Sequence, residues 1–138
     1  MRHKLKRIKI TEEVDIAKAI FTAQDLAKMA GFGKTNQCMV ATAVSELARN
    51  IFLYALKGEM RLRILEKNGQ VGMEVIAQDK GPGIKDITRV MGDDFVSVKG
   101  LGLGLKGVKR LMDEFVIDTK RGRGTKITAI KWRQIKEA

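Results

Sequence analysis

Glu46 and Asn50 stand four residues apart in a stretch whose apolar residues recur at helical spacing, so both project from one helix face. A carboxylate beside a hydroxyl can take its proton during group transfer. An amide oxygen one turn later can ligate Mg²⁺, a hard cation that takes few protein ligands and fills its shell with phosphate oxygens and water. Asp79 opens the hexapeptide Asp79-Lys-Gly-Pro-Gly-Ile84 at the end of an alternating strand. Its carboxylate could fix the exocyclic amine of adenine, with Gly81 and Gly83 leaving room for the purine and Pro82 stiffening the loop. The run Lys99-Gly100-Leu101-Gly102-Leu103-Gly104 precedes a further helical stretch. Backbone N–H groups at a helix start attract phosphate, and glycines let the chain approach it closely. Lys99 and Lys106 flank that run and would add positive charge. Gly124-Thr125 opens the last strand, where the hydroxyl could support Asp79 or a water bound to adenine.

Each piece has a plainer reading when taken alone. Glu46 suits a solvated helix face, and the hexapeptide is an ordinary Asp-Gly-Pro turn. The glycine run could be a flexible loop, and Thr125 a β-branched strand residue. Arg49, between Glu46 and Asn50, could reach a phosphate or a partner carboxylate, or simply be solvated. The order and spacing of the pieces are far more specific than any one of them.

The elements that must position these residues can be read from periodicity. Ile8 and Ile10 share one face of a strand over residues 4–10. Thr11 reads as the N-cap of a helix with Glu12 and Glu13 in its first turn, and Gly31-Phe32-Gly33 stops it. A second helix starts near Thr35 or Asn36, buries Val40, Val44, Leu47, Ile51 and Ala55, and ends at Lys57-Gly58. A hairpin follows, turning at Asn68-Gly69 and returning over residues 71–78. Residues 79–100 read as a site loop and a flexible lid, with no motif assignable in Val90–Val98. A third helix over 103–113, a strand over 115–119, a turn over 120–124 and a strand over 125–132 complete the order β-α-α-β-β-loop-α-β-β. The expected fold is α+β: a two-layer sandwich of a mixed, largely antiparallel sheet with three main helices on one face, forming a single domain over 1–138.

Composition narrows the classes. The 138 residues are 44% apolar, enough for one core, and no apolar run is long enough to cross a bilayer. The basic N-terminus is not followed by the apolar segment of a secretory signal. The one cysteine, Cys38, reads as a small buried hydrophobe and suits a reducing cytoplasm. With His3 the only histidine, a zinc site is not expected. The net charge of +11 points to an anionic partner. Nucleic acid is disfavoured, because aromatics are only 5% and are not interleaved with the basic residues as a stacking platform requires.

Taken together, the set resembles the GHKL ATPase superfamily of gyrase-type, chaperone and histidine kinase ATP-binding domains. Glu46-x-x-x-Asn50 is similar to its N box, and Asp79-x-Gly81-x-Gly83 and Gly100-x-Gly102-x-Gly104 to its first two glycine boxes. Gly124-Thr125 is similar to the third. Residues 45–51 and 99–115 resemble the RsbT family, the switch kinases of the stressosome, with anti-sigma-factor kinases of the RsbW and SpoIIAB type as the main rivals. The resemblance implies ATP and Mg²⁺ as cofactors, Glu46 as base, Asn50 as metal ligand, Asp79 as adenine reader and the glycine run as phosphate cradle. It further implies STAS-domain proteins as substrates, a PP2C-type phosphatase as the activated partner, and a cytoplasmic location. Lys106 departs from the proline expected there in many relatives, which loses some pre-organisation of the first helical turn. The alternatives are a nucleotide-bound module working by partner exchange and a small basic nucleic-acid-binding protein.

Overall fold

The computed structural model describes residues 5–84 and 104–134. Five strands form one sheet in the order β1-β2-β3-β5-β4. They are β1 (Lys6–Ile10), β2 (Gly58–Lys67), β3 (Gln70–Asp79), β4 (Glu114–Lys120) and β5 (Gly124–Trp132). All four described pairings are antiparallel, so the largely antiparallel sheet expected from the sequence contains no parallel pair among the described residues. Helices α1 (Val14–Met29), α2 (Lys34–Tyr54) and α3 (Gly104–Leu111) form the second layer.

The core lies between the layers. Ile10, Met60, Leu62, Ile64, Met73, Val75, Ala77, Ile127 and Ala129 face inward from the strands. Ile16, Ala23, Val40, Val44, Leu47, Ile51 and Val108 meet them from the helices. Alternation along β2 and the 3.6-residue period along α2 are both kept, which is why these faces were legible in advance. Asn68 and Gly69 take φ of 53° and 80°, the left-handed pair that a two-residue hairpin turn requires.

Three local expectations need correction. Thr11 does not cap α1 through its own oxygen. Instead Asp15, inside the first turn, reaches back and accepts the N–H of Thr11 and of Glu12, each at 3.0 Å. The helix does not begin until Val14. α2 ends at Tyr54, not at Lys57-Gly58. Leu56 turns the chain with φ of 68°, and Gly58 is already in β2. Gly58 is needed there because a β-carbon would stand 2.7 Å from Ile51 Cγ2 and 3.1 Å from Asp79 Cβ. Cys38 is exposed. It lies two residues before Val40, which puts it on the outer side of α2 and away from the buried stripe.

The C-terminal end of α3 is tied down. Lys131 shares the inward face of β5 with Ile127 and Ala129, and its Nζ donates to Leu111 O at 2.9 Å. A cation at the last turn also opposes the helix dipole. Alternation alone would have placed this lysine in the core; the helix end it caps explains its burial.

Candidate active site

One row across the sheet organises the first half of the site. Ile10 pairs with Gly58, Gly58 with Asp79, Asp79 with Thr125, and Thr125 with Thr119. Directly paired residues share a face, so the Asp79 side chain points toward the helices, below the C-terminal half of α2. Its Oδ1 accepts the Gly81 N–H at 2.8 Å. Oδ2 accepts no hydrogen bond among the described residues. The half-buried carboxylate is thus oriented by its own loop through one oxygen.

The loop after Asp79 is clasped to the turn between β4 and β5. Gly122 N donates to Pro82 O at 2.8 Å, and Ile84 N donates to Thr119 Oγ1 at 2.9 Å. Thr119 Oγ1 in turn lies 3.2 Å from Gly124 O and 2.8 Å from Thr125 Oγ1. The glycines serve this clasp. A β-carbon at Gly81 would stand 2.7 Å from Ala55 Cβ, at the end of α2. One at Gly83 would strike Lys120 O, and one at Gly124 would strike Asp79 O. Gly83 and Gly124 also hold φ of 79° and 116°, a region closed to most side chains. The space beside Gly81 and Gly83 is therefore filled by protein. These glycines permit close backbone approach and so fix where Asp79 stands. Likewise the Thr125 hydroxyl contacts Thr119 rather than Asp79.

Thr119 is a site residue that sequence reasoning missed. A threonine in a strand gives no signal of its own; only the pairing opposite Thr125 brings it to the loop.

The second half of the site lies on α2 and α3. Glu46, Arg49 and Asn50 are half-buried; Glu46 and Arg49 lie on the side of α2 turned away from Val40, Val44, Leu47 and Ile51, and Asn50 borders that stripe beside Leu47. Glu46 Oε2 is 3.4 Å from Gly104 N, the first residue of α3. The structure thereby brings the candidate base to the helix start that the sequence marked for phosphate. The Asn50 side chain has no hydrogen-bond partner among the described residues. Lys99, Gly100, Leu101, Gly102 and Leu103, together with the segment read as a lid, lie outside the described residues. Among the described residues no group of three or more His, Cys, Asp or Glu gathers to hold a metal.

Three helices over a five-strand antiparallel sheet, in two layers, are the fold of the histidine kinase-like ATPase domain. The chain belongs to that family, whose model matches residues 10–131. Serine/threonine-protein kinase RsbT of Bacillus subtilis (strain 168) is 50% identical to the chain over 125 residues, 91% of this chain and 94% of RsbT. Within the family, then, the chain is a serine/threonine protein kinase. An anti-sigma F factor of Caldanaerobacter subterraneus subsp. tengcongensis is 28% identical over 99 residues, 67% of this chain and 68% of that factor. The crystal structure of the RsbU and RsbW domains of a Mycobacterium tuberculosis protein has the same fold, with a TM-score of 0.60 at 16% identity. That match covers 96% of this chain, which spans about a third of the longer one (34%).

Proposed function

We propose that this chain, as a single domain over 1–138, transfers the γ-phosphoryl group of ATP to serine or threonine of STAS-domain regulatory proteins in a bacterial stress or sigma-factor pathway. After release from that scaffold it would activate a PP2C-type phosphatase. The observation that carries the reading is the meeting of Glu46 with the first amide of α3, 3.4 Å apart, one helical turn before Asn50. A proton acceptor, a hard-cation ligand and a phosphate-seeking helix start then share one small region.

In this reading Asp79 Oδ2 takes the exocyclic amine of adenine while Gly81 holds Oδ1. The amides of Gly100, Gly102 and Gly104 and the charge of Lys99 receive the phosphates, with Leu101 and Leu103 spacing the glycines. Thr125, through Thr119, keeps the adenine loop in place. A side-chain amide with no partner among the described residues suits a divalent ion whose other ligands are phosphate oxygens, so Asn50 would hold Mg²⁺. Bound there, the ion would neutralise charge on the β- and γ-phosphates. Glu46 would accept the proton of the attacking hydroxyl. Most of the acceleration would come from positioning and charge neutralisation, as phosphoryl transfer requires. A cytoplasmic location is part of the proposal. Among the described residues no helix is long and apolar enough to cross a membrane.

The test is calorimetry of Mg-ATP with the parental chain and Asp79→Asn. The variant places an N–H donor where an acceptor must be. ATP affinity is expected to fall by about a hundredfold, the consequence of an unmet buried hydrogen bond. Unchanged affinity would remove Asp79 as the adenine reader. An anti-sigma-factor role is the second reading, favoured by the similarity to the anti-sigma F factor. Stable capture of a sigma factor in the presence of nucleotide would select it.

A further inference from the structure

Arg49 has no part in the mechanism above, yet its environment is unusual. Its Nε is buried and has no hydrogen-bond partner among the described residues. Arginine carries five donors and cannot shed its charge, so a withdrawn N–H without an acceptor is disfavoured unless a ligand supplies one. Native chains leave few such groups, and those few call for a bound ion, water or catalytic use. Glu46 does not supply the acceptor. It lies three residues away on the same helix, a spacing at which side chains meet, but the two form no ion pair among the described residues. The Glu46 carboxylate is turned to Gly104 instead.

The helix places Arg49 well for a ligand. At 3.6 residues per turn, Asn50 and Arg49 lie on opposite flanks of Glu46, Asn50 bordering the buried Ala43 and Leu47 and Arg49 on the outer side of α2. A group that reaches both the Asn50 amide and the start of α3 must pass over Glu46, within the span of a guanidinium rooted at position 49. We infer that Arg49 is a further binding residue of the phosphoryl-transfer site, its guanidinium pairing with oxygens of the terminal phosphate of the nucleotide. The planar fork of Nε and Nη fits two oxygens of one phosphate, which an ammonium does not. No covalent step is involved. Arg49 adds positive charge where the transferring group gathers negative charge.

The inference rests on the nucleotide reading and is tested so that the two can fail separately. ATP and ADP binding are measured by calorimetry for the parental chain, Arg49→Gln and Arg49→Lys. The expected result is that Arg49→Gln weakens ATP by about ten- to a hundredfold, the range for a hydrogen bond to a charged group, with ADP affinity held. Arg49→Lys is expected to lose part of that preference, because it keeps charge without the fork. An unchanged ratio of ATP to ADP affinity in either folded variant overturns the inference. So does an equal loss for both nucleotides, which marks a structural role. If the parental chain binds neither nucleotide, the nucleotide reading itself has failed.

Discussion

Around Asp79 the backbone is held from several sides. Its own loop bonds Oδ1, the β4–β5 turn grips Pro82 and Ile84, and Gly81, Gly83 and Gly124 let three segments touch where no side chain would fit. Around Glu46 the described residues make fewer contacts. Among the described residues, one long hydrogen bond reaches Gly104, Asn50 bonds nothing, and the buried Arg49 Nε has no acceptor. The difference fits the two tasks proposed for these regions. Recognition of a flat base gains from a preformed surface, since rigidity there lowers the entropy lost on binding. Groups that act on a transferring phosphoryl gain their partners only when substrate is present, and hydrogen bonds in a ligand-free site are often long.

The sharpest way to separate the two regions is Glu46→Gln. Removing the proposed base without changing shape is expected to slow phosphotransfer by about 10²–10⁴-fold. Glutamine still offers Gly104 an oxygen, so fold and ATP affinity are expected to hold. Single-turnover transfer and calorimetry on the same preparation check both halves. Transfer at the parental rate would take Glu46 out of the chemistry.

Gly124→Ala attacks the other region. The added carbon would strike Asp79 O and would have to adopt a φ of 116°. Overpacking and backbone strain together are expected to cost about 3 kcal/mol of stability, read by urea unfolding. Nucleotide affinity should fall with it, because the same contact sets the end of β3. A variant with parental stability and parental affinity would show that the clasp does not position Asp79.

Between the two regions stands Leu56, just past the end of α2. It is 73% exposed and sits at φ of 68°, where a leucine is strained and a glycine is not. Leu56→Gly is expected to stabilise the chain by about 1 kcal/mol. If stability falls instead, Leu56 is held by packing of its side chain. The adjoining Ala55, which fills the space beside Gly81, would then be the place to look for the cause.

The sequence was most legible where one period governs one element. The buried stripes of α1 and α2, the alternation of β2 and β3 and the Asn68-Gly69 turn all follow from local pattern, and the motif residues Glu46, Asn50 and Asp79 stand out by type and spacing. What pattern could not show depends on contacts between distant segments. Thr119 acquires its role only by pairing opposite Thr125, and Lys131 looks like a misplaced core residue until α3 ends above it. Gly81 and Gly83 read naturally as room for a ligand, because a sequence does not reveal that Ala55 and Lys120 already fill that room. The exposed Cys38 differs from these: its place on the helical wheel, opposite Val40, points outward against cysteine's usual burial.

The smallest expected effect lies at the far end of the same sheet row, beyond Ile10. Asp15 is buried, and the N–H groups of Thr11 and Glu12, aided by the Thr11 hydroxyl and Lys18, hold its carboxyl below the ordinary aspartate range, outweighing the opposing effect of burial. In the unfolded chain it titrates near the ordinary value of about 3.9. Between the two values the unfolded state binds more protons, so stability rises with pH there. The stabilisation is complete above the ordinary value and is lost as pH falls through the lowered one. Asp15→Asn is expected to flatten this part of the stability profile and to lower the plateau above it slightly, read from urea unfolding at a series of acid pH values. Nucleotide affinity at neutral pH should not change, since Asp15 touches neither region of the site. A profile equally steep in the variant would assign the acid sensitivity to other carboxylates. A loss of nucleotide affinity would mean that the row from Ile10 to Thr125 transmits strain, and that the clasp around Asp79 is less self-sufficient than its contacts suggest.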